Sequence, residues 1–117
     1  MAEKLLWKGA TGYTYQYSVY PTSDVTPPDE DGNYIFCRAE YLTNNQIKYN
    51  AIYIGQGNLK DRVGDNHHKI DCIREKNPTH VCLRINTNDS DRKAEEEDLL
   101  NMHNEAFPPT GCNEQKS

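Results

Sequence analysis

Long apolar runs are missing from this sequence: no stretch approaches the roughly 18 consecutive apolar residues that a membrane-crossing helix needs. No membrane partner is therefore expected. A charged start followed by an apolar run is missing as well, so no signal peptide is read and secretion is not expected. The expectation is a cytoplasmic protein. Apolar residues make up only 35% of the 117, and mean hydropathy is -0.96, so the core must be lean and the surface heavily polar. Positive charge is scarce too, with 13 Lys and Arg against 18 Asp and Glu and a net charge of -5. That balance, with a pI of about 5.3, disfavours a protein that grips nucleic acid by charge alone. No internal repeat or long low-complexity run occurs, and the length suits one compact domain.

The four cysteines, Cys37, Cys72, Cys82 and Cys112, form no CxxC pair and no disulfide-dense pattern. Reduced thiols in a cytoplasmic protein are the plain reading. A structural zinc site would pair His68 with Cys72 one helical turn on and recruit Cys112 or His103. Disulfide formation is the third possibility.

What is present reads as a mixed α/β chain. Residues 12–20 alternate, with Tyr13, Tyr15, Tyr17 and Val19 on one face, which predicts a half-buried strand. Residues 21–31 are a turn-rich acidic connector. Strands are expected at Asn33–Arg38 and Asn50–Gly55, joined as an antiparallel hairpin through Thr43-Asn44-Asn45-Gln46. Asn58 can cap a short helix through Val63. A second helix is expected at His67–Lys76, with Ile70 and Ile73 facing inward, and a strand at residues 80–85. Ser90 or Asp91 then caps a helix running from about Arg92 to Asn104. The result is a small, mostly antiparallel sheet flanked by helices, with an extra N-terminal strand.

Several residues invite a chemical reading. The last helix carries Glu95, Glu96, Glu97 and Asp98 in a row. Three of these suit a solvated face, but Glu96 shares a stripe with Leu99, Leu100 and His103. A carboxylate on an inward stripe needs a basic partner or a cation. In the hairpin, a turn centred on Asn44-Asn45 sets Phe36 opposite Tyr53 and Tyr34 opposite Gly55. Tyr34 and Tyr53 then share a face, away from Ile35, Ile52 and Ile54, with ligand room beside the glycine. Ordinary aromatic packing would look the same. Gly55-Gln56-Gly57-Asn58 leads to a helix start that favours an anion, and Arg62 offers a fork for phosphate.

These features coincide with one pattern. GNY at 32–34 and YIG at 53–55 resemble the two motifs that name the GIY-YIG nuclease superfamily. YIGQGNLKDRV, residues 53–63, resembles that group's strand-into-helix segment with its arginine, here Arg62. AEEEDLL, residues 94–100, resembles the helix bearing its metal-binding glutamate, here Glu96. Asn113 in CNEQ resembles the asparagine that closes the domain. Departures are visible: Asn33 replaces an apolar residue, the loop at 39–49 is long, and Asn66 stands where a histidine or tyrosine is usual. His67 and His68 come one and two residues late, and the histidine role is carried to His67.

The resemblance implies an endonuclease that hydrolyses DNA phosphodiester bonds. Glu96 would hold one Mg²⁺ or Mn²⁺, and Tyr34 would be the general base for water, directly or through a relay. Tyr53 would orient phosphate or share the proton, Arg62 would neutralise developing charge, and Asn113 would buttress the site. It also divides the chain into an N-terminal strand and connector, 1–31, and a nuclease-like domain, 32–117. A catalytically inactive module that binds nucleic acid or a protein is the alternative. No recognition helix or zinc finger supplies specificity, so a separate DNA-binding or specificity protein is a possible partner. Residues 56–85 hold six basic residues against four acids, so DNA contact is expected to be weak and salt-sensitive.

Overall fold

The computed structural model describes residues 3–64 and 67–114. Five strands run β1 (Glu3–Lys8), β2 (Thr14–Pro21), β3 (Asp31–Tyr41), β4 (Ile47–Asn58) and β5 (His80–Ile85). The helices are α1 (Leu59–Arg62), α2 (Ile70–Glu75) and α3 (Asp89–Met102). All strands join one sheet in the order β1-β2-β5-β3-β4, and every pairing is antiparallel. The fold class is thus a small α+β domain. Among the described residues no helix is long and apolar enough to cross a membrane.

Both faces of the sheet are covered. Ile35, Cys37, Ile54 and Cys82 pack with Leu99 and Leu100 of α3 and with Trp7, Tyr17 and Val19 of the N-terminal hairpin. Tyr34, Phe36, Val81 and Leu83 pack with Leu59, Val63 and Ile73 of α1 and α2. The alternation of β3 therefore feeds two cores rather than one core and a wet face.

Two features escaped the sequence reading. Residues 3–8 form a strand, paired with β2 from Glu3↔Val19 to Lys8↔Thr14. Its charged ends mask a single well-buried residue, Trp7, so the alternation is weak. Through β2–β5 pairing the N-terminal region becomes part of the same sheet. The second is α3, which starts at Asp89 with Asn88 as its cap, accepting from the Asp91 amide at 3.0 Å. Ser90 and Asp91 lie inside the helix.

The hairpin register is as expected, Tyr34↔Gly55 and Phe36↔Tyr53. It arises differently, because a bulge opposite Phe36 and Cys37 inserts Ile52 as an extra residue. Without it, the pairing beyond Cys37 would bring Ile54, not Gly55, opposite Tyr34. A bulge also turns two successive side chains to one side. Ile52 therefore packs with Tyr34 and Phe36, on the face that Tyr53 also joins, contrary to its expected place with Ile35 and Ile54.

Candidate active site

The first motif places Tyr34 on β3, flanked by β4 and β5, where it is only 1% exposed. Its ring stacks on Tyr53 with centroids 6.1 Å apart and meets Phe36 and His67 edge-on. Gly55 exists for this ring. A Cβ there would overlap the Tyr34 hydroxyl and its adjoining ring carbons. The space beside the glycine is therefore filled by Tyr34 itself and is not ligand room.

Arg62 reaches the same region by a second glycine. Gly57 has a φ of +137°, a backbone region that L side chains rarely adopt, and a Cβ there would lie 2.9 Å from Arg62 Nε. The sequence expectation of an anion site at the helix start is not met. The helix is one turn long, Asn58 Oδ1 accepts from the Asp61 amide at 3.0 Å, and the Leu59 amide donates to the Glu30 carbonyl at 2.8 Å. Those amides are already used, while the Arg62 side chain is exposed beside Gly57.

His67 is buried and its Nε2 lies 2.7 Å from the Tyr34 hydroxyl. His68 is exposed, with its Nε2 3.4 Å from the Tyr53 hydroxyl. The two imidazoles stack, with centroids 4.6 Å apart. Of the two candidates, His67 is the one built into the site. Asn66 lies outside the described residues.

Asn113 is buried and clasps Ile54 by both backbone groups. Its Oδ1 accepts from the Ile54 amide at 2.8 Å, and its Nδ2 donates to the Ile54 carbonyl at 2.9 Å. With the Cys112 amide donating to the Ile52 carbonyl at 2.8 Å, the C-terminal segment covers the outer edge of β4. Asn113 thus fixes the strand residue next to Gly55.

The acidic run of α3 is sorted differently from its sequence reading. Glu95 and Asp98 are buried, Glu96 is half-buried and Glu97 is exposed. The N-terminal hairpin is the reason. Its tyrosines reach α3: Tyr17 donates to Glu95, which also pairs with Arg84 at 3.1 Å. Asp98 accepts from Tyr15 at 2.8 Å and from the Thr11 amide and hydroxyl at 2.9 Å. A partnered carboxylate tolerates burial, so the inward arc of α3 extends over both residues. Of the four, Glu96 is the one whose charge bears on both Tyr34 and Tyr53.

Asn33 explains its own departure from the motif. Wholly buried, it donates to the Arg92 carbonyl of α3 at 3.0 Å. Its cross-strand partner Gln56 accepts from Arg92 Nε at 3.1 Å. The hairpin therefore grips α3 one turn before Glu96, and the polar residue ties the two together.

The electrostatics follow from burial. Burial pushes the Tyr34 phenol well above its ordinary value; Tyr53 and Glu96 add to the rise, while Arg62 opposes it. Tyr53 is also raised, by burial first and then by Glu96, again against Arg62. Arg62 alone does not offset the burial. Burial, with His68 and Arg62 nearby, holds the His67 imidazole down to about 4. His67 stays neutral in the fold at pH 5 to 6, where the unfolded ring takes up a proton. Its contribution is complete above about pH 6.5 and is lost as pH falls toward 4. Up to about 3 kcal/mol of stability is expected to disappear over that window. Urea unfolding between pH 4.5 and 7 should show a steeper acid decline for the wild type than for His67→Gln. Parallel curves would remove His67 as the group responsible.

The cysteines correct the sequence reading. Cys72 of α2 and Cys112 form a disulfide, while Cys37 and Cys82 are free and buried. Cys72 and Cys112 are thus not zinc ligands. His103 is occupied elsewhere, against the Lys8 carbonyl at 2.9 Å and Glu105 at 3.2 Å.

Among the described residues no three His, Cys, Asp or Glu side chains gather as a metal-holding group. Mg²⁺ does not require one, since it is commonly held by one or two carboxylates with water and substrate phosphate completing the shell. Glu96, half-buried and near enough for its charge to bear on Tyr34 and Tyr53, fits that chemistry and does not fit zinc's preference for several nitrogen or sulfur ligands. Tyr34, Tyr53, Arg62, His67 and Glu96 thus form one neighbourhood, with Asn113 behind it. No family model, curated protein or solved structure matches this chain.

Proposed function

We propose that this chain is a small metal-dependent DNA endonuclease with a GIY-YIG-like nuclease domain. The observation that carries this reading is the convergence of Tyr34, Tyr53, Arg62 and Glu96. They lie on two strands and two helices, at positions 34 to 96 of the chain, and each phenol feels both Arg62 and Glu96. Ordinary packing has no need to bring a cation, an anion and two phenols together at a half-buried surface.

Phosphodiester hydrolysis needs an activated water and stabilisation of charge on the phosphoryl oxygens. Arg62 would hold a phosphate oxygen and neutralise charge as it develops. Because Tyr34 is buried, its ionised form would take the hydroxyl proton of Tyr53, the more accessible phenol, as Tyr53 takes one from the attacking water. Glu96 would hold Mg²⁺ or Mn²⁺, which when bound supplies Lewis-acid charge at the scissile phosphate. Asn113 would keep Gly55 and the end of β4 in place. The Cys72–Cys112 bond persists in an oxidising setting, and a reducing cytoplasm would open it.

A second reading has its own observation. A Tyr34 that is 1% exposed and raised by burial also suits an inactive module that binds nucleic acid or protein through this face. Supercoiled plasmid separates the two. With Mg²⁺ or Mn²⁺ the purified protein is expected to convert it to nicked circles, and with EDTA it is not. Cleavage should weaken with added salt, but with a shallow slope, because a chain of net charge -5 with few cations to offer neutralises few phosphates. No nicking of any DNA or RNA form, with DNA binding retained, would establish the binding module. A separate specificity protein would then supply what the chain lacks for target choice.

A further inference from the structure

The ring of His67 stands between two groups whose hydrogen-bonding roles are not equivalent. Its Nδ1 lies 2.9 Å from the backbone nitrogen of Lys69. A backbone N–H can only donate, so Nδ1 must accept and carry no hydrogen. In a neutral imidazole the single proton then sits on Nε2. That atom lies 2.7 Å from the Tyr34 hydroxyl, and the bond is therefore His67 Nε2–H donating to Tyr34 Oη.

We infer that His67 is a positioning residue: it donates to Tyr34 and turns the hydroxyl proton of Tyr34 away from the imidazole, toward the side where Tyr53 stands. Tyr34 cannot pass its proton to His67, because Nε2 already holds one. The opposite arrangement, with Nε2 bare, would place a hydrogen on Nδ1 directly against the Lys69 N–H. A donated hydrogen bond favours the anionic form of its acceptor, so His67 supports charge on Tyr34 while the proton leaves toward Tyr53. The ring geometry agrees. His67 is edge-on to Tyr34, Phe36 and Tyr53, so three aromatic neighbours hold its plane and the Nε2–H has one direction to point.

The proton traffic rests on the nuclease reading, whereas the donor assignment does not, and the experiment keeps them apart. Long-range ¹H–¹⁵N correlation spectra of the histidine-labelled full chain at pH 7 report the tautomer without any substrate, with His67→Gln identifying the resonances. The Nε2–H tautomer is expected; an Nδ1–H tautomer or a rapidly exchanging mixture overturns the inference. Cleavage supplies the second readout. His67→Gln keeps an amide N–H that can donate to Tyr34, and should cleave within about tenfold of the wild type. His67→Leu keeps none and should fall by about 10²-fold, the scale of one hydrogen bond to a charged group. Gln as impaired as Leu would contradict the donor role. A wild type that cleaves nothing would contradict the nuclease reading, with the tautomer still decided by the spectra.

Discussion

Tyr34→Phe is expected to slow metal-dependent DNA cleavage by about 10²- to 10⁴-fold, the usual worth of a positioned acid–base group. The substitution removes one oxygen and keeps the ring that packs on Phe36, Tyr53 and His67. The fold should survive, although His67 Nε2–H loses its acceptor at a buried position, a loss worth about 1–3 kcal/mol. Single-turnover rates and thermal melts, measured together, separate the two effects. A large drop in rate with a modest drop in melting temperature is the expected pair. Wild-type cleavage should also accelerate with pH across the neutral range, because both phenols are raised and still protonated there. An unchanged rate in Tyr34→Phe would leave the phenol without a chemical role.

Removing the cross-link is expected to produce the largest change in stability. Cys72 and Cys112 are 40 residues apart in sequence, and closing a loop of that length restricts the unfolded chain by about 4 kcal/mol. The bond joins α2, which follows the His67–His68 segment, to the strap that holds β4 through Asn113. Lys69 and Glu114 add an ion pair across the same junction at 3.2 Å. Cys72→Ser with Cys112→Ser should therefore lower the urea midpoint sharply and uncouple Asn113 from Ile54. Hydrogen exchange at the Ile54 amide is the local measure. A double variant as stable as the wild type, with Ile54 equally protected, would show that the packing of α2 suffices.

How much of this was legible beforehand depends on which interactions stayed local. The Tyr34–Gly55 pairing was readable from the turn, yet the turn and the Ile52 bulge each shift the register by one residue and offset one another. A bulge leaves no local signature in NAIYIG, because both arms look like strand. Helix periodicity singled out Glu96, but the same stripe missed Glu95 and Asp98, whose partners Tyr17, Tyr15 and Thr11 lie more than 75 residues away. Periodicity reports burial only when apolar contacts decide it. Asn33 looked like a defect in its motif because its reward, the Arg92 carbonyl, is again a tertiary contact. The disulfide was one of three open possibilities, since the spacing of four cysteines does not determine pairing. Arg62 and Asn113 were singled out by short segments, YIGQGNLKDRV and CNEQ, and the fold sets Arg62 against Gly57 and Asn113 against Ile54.

The central claim is that phosphodiester hydrolysis takes place at the face shared by Tyr34, Tyr53, Arg62 and Glu96. Nicking of supercoiled plasmid by wild type and Glu96→Ala, in parallel and with Mg²⁺ or Mn²⁺, addresses it most directly. Glu96 is half-buried rather than core, so the variant should fold and still bind DNA. The account predicts nicking that needs the metal and is reduced at least about 10³-fold in Glu96→Ala, on the scale of losing a preorganised charge at the reacting phosphate. Equal nicking by both proteins, or wild-type nicking that persists in EDTA, would contradict it.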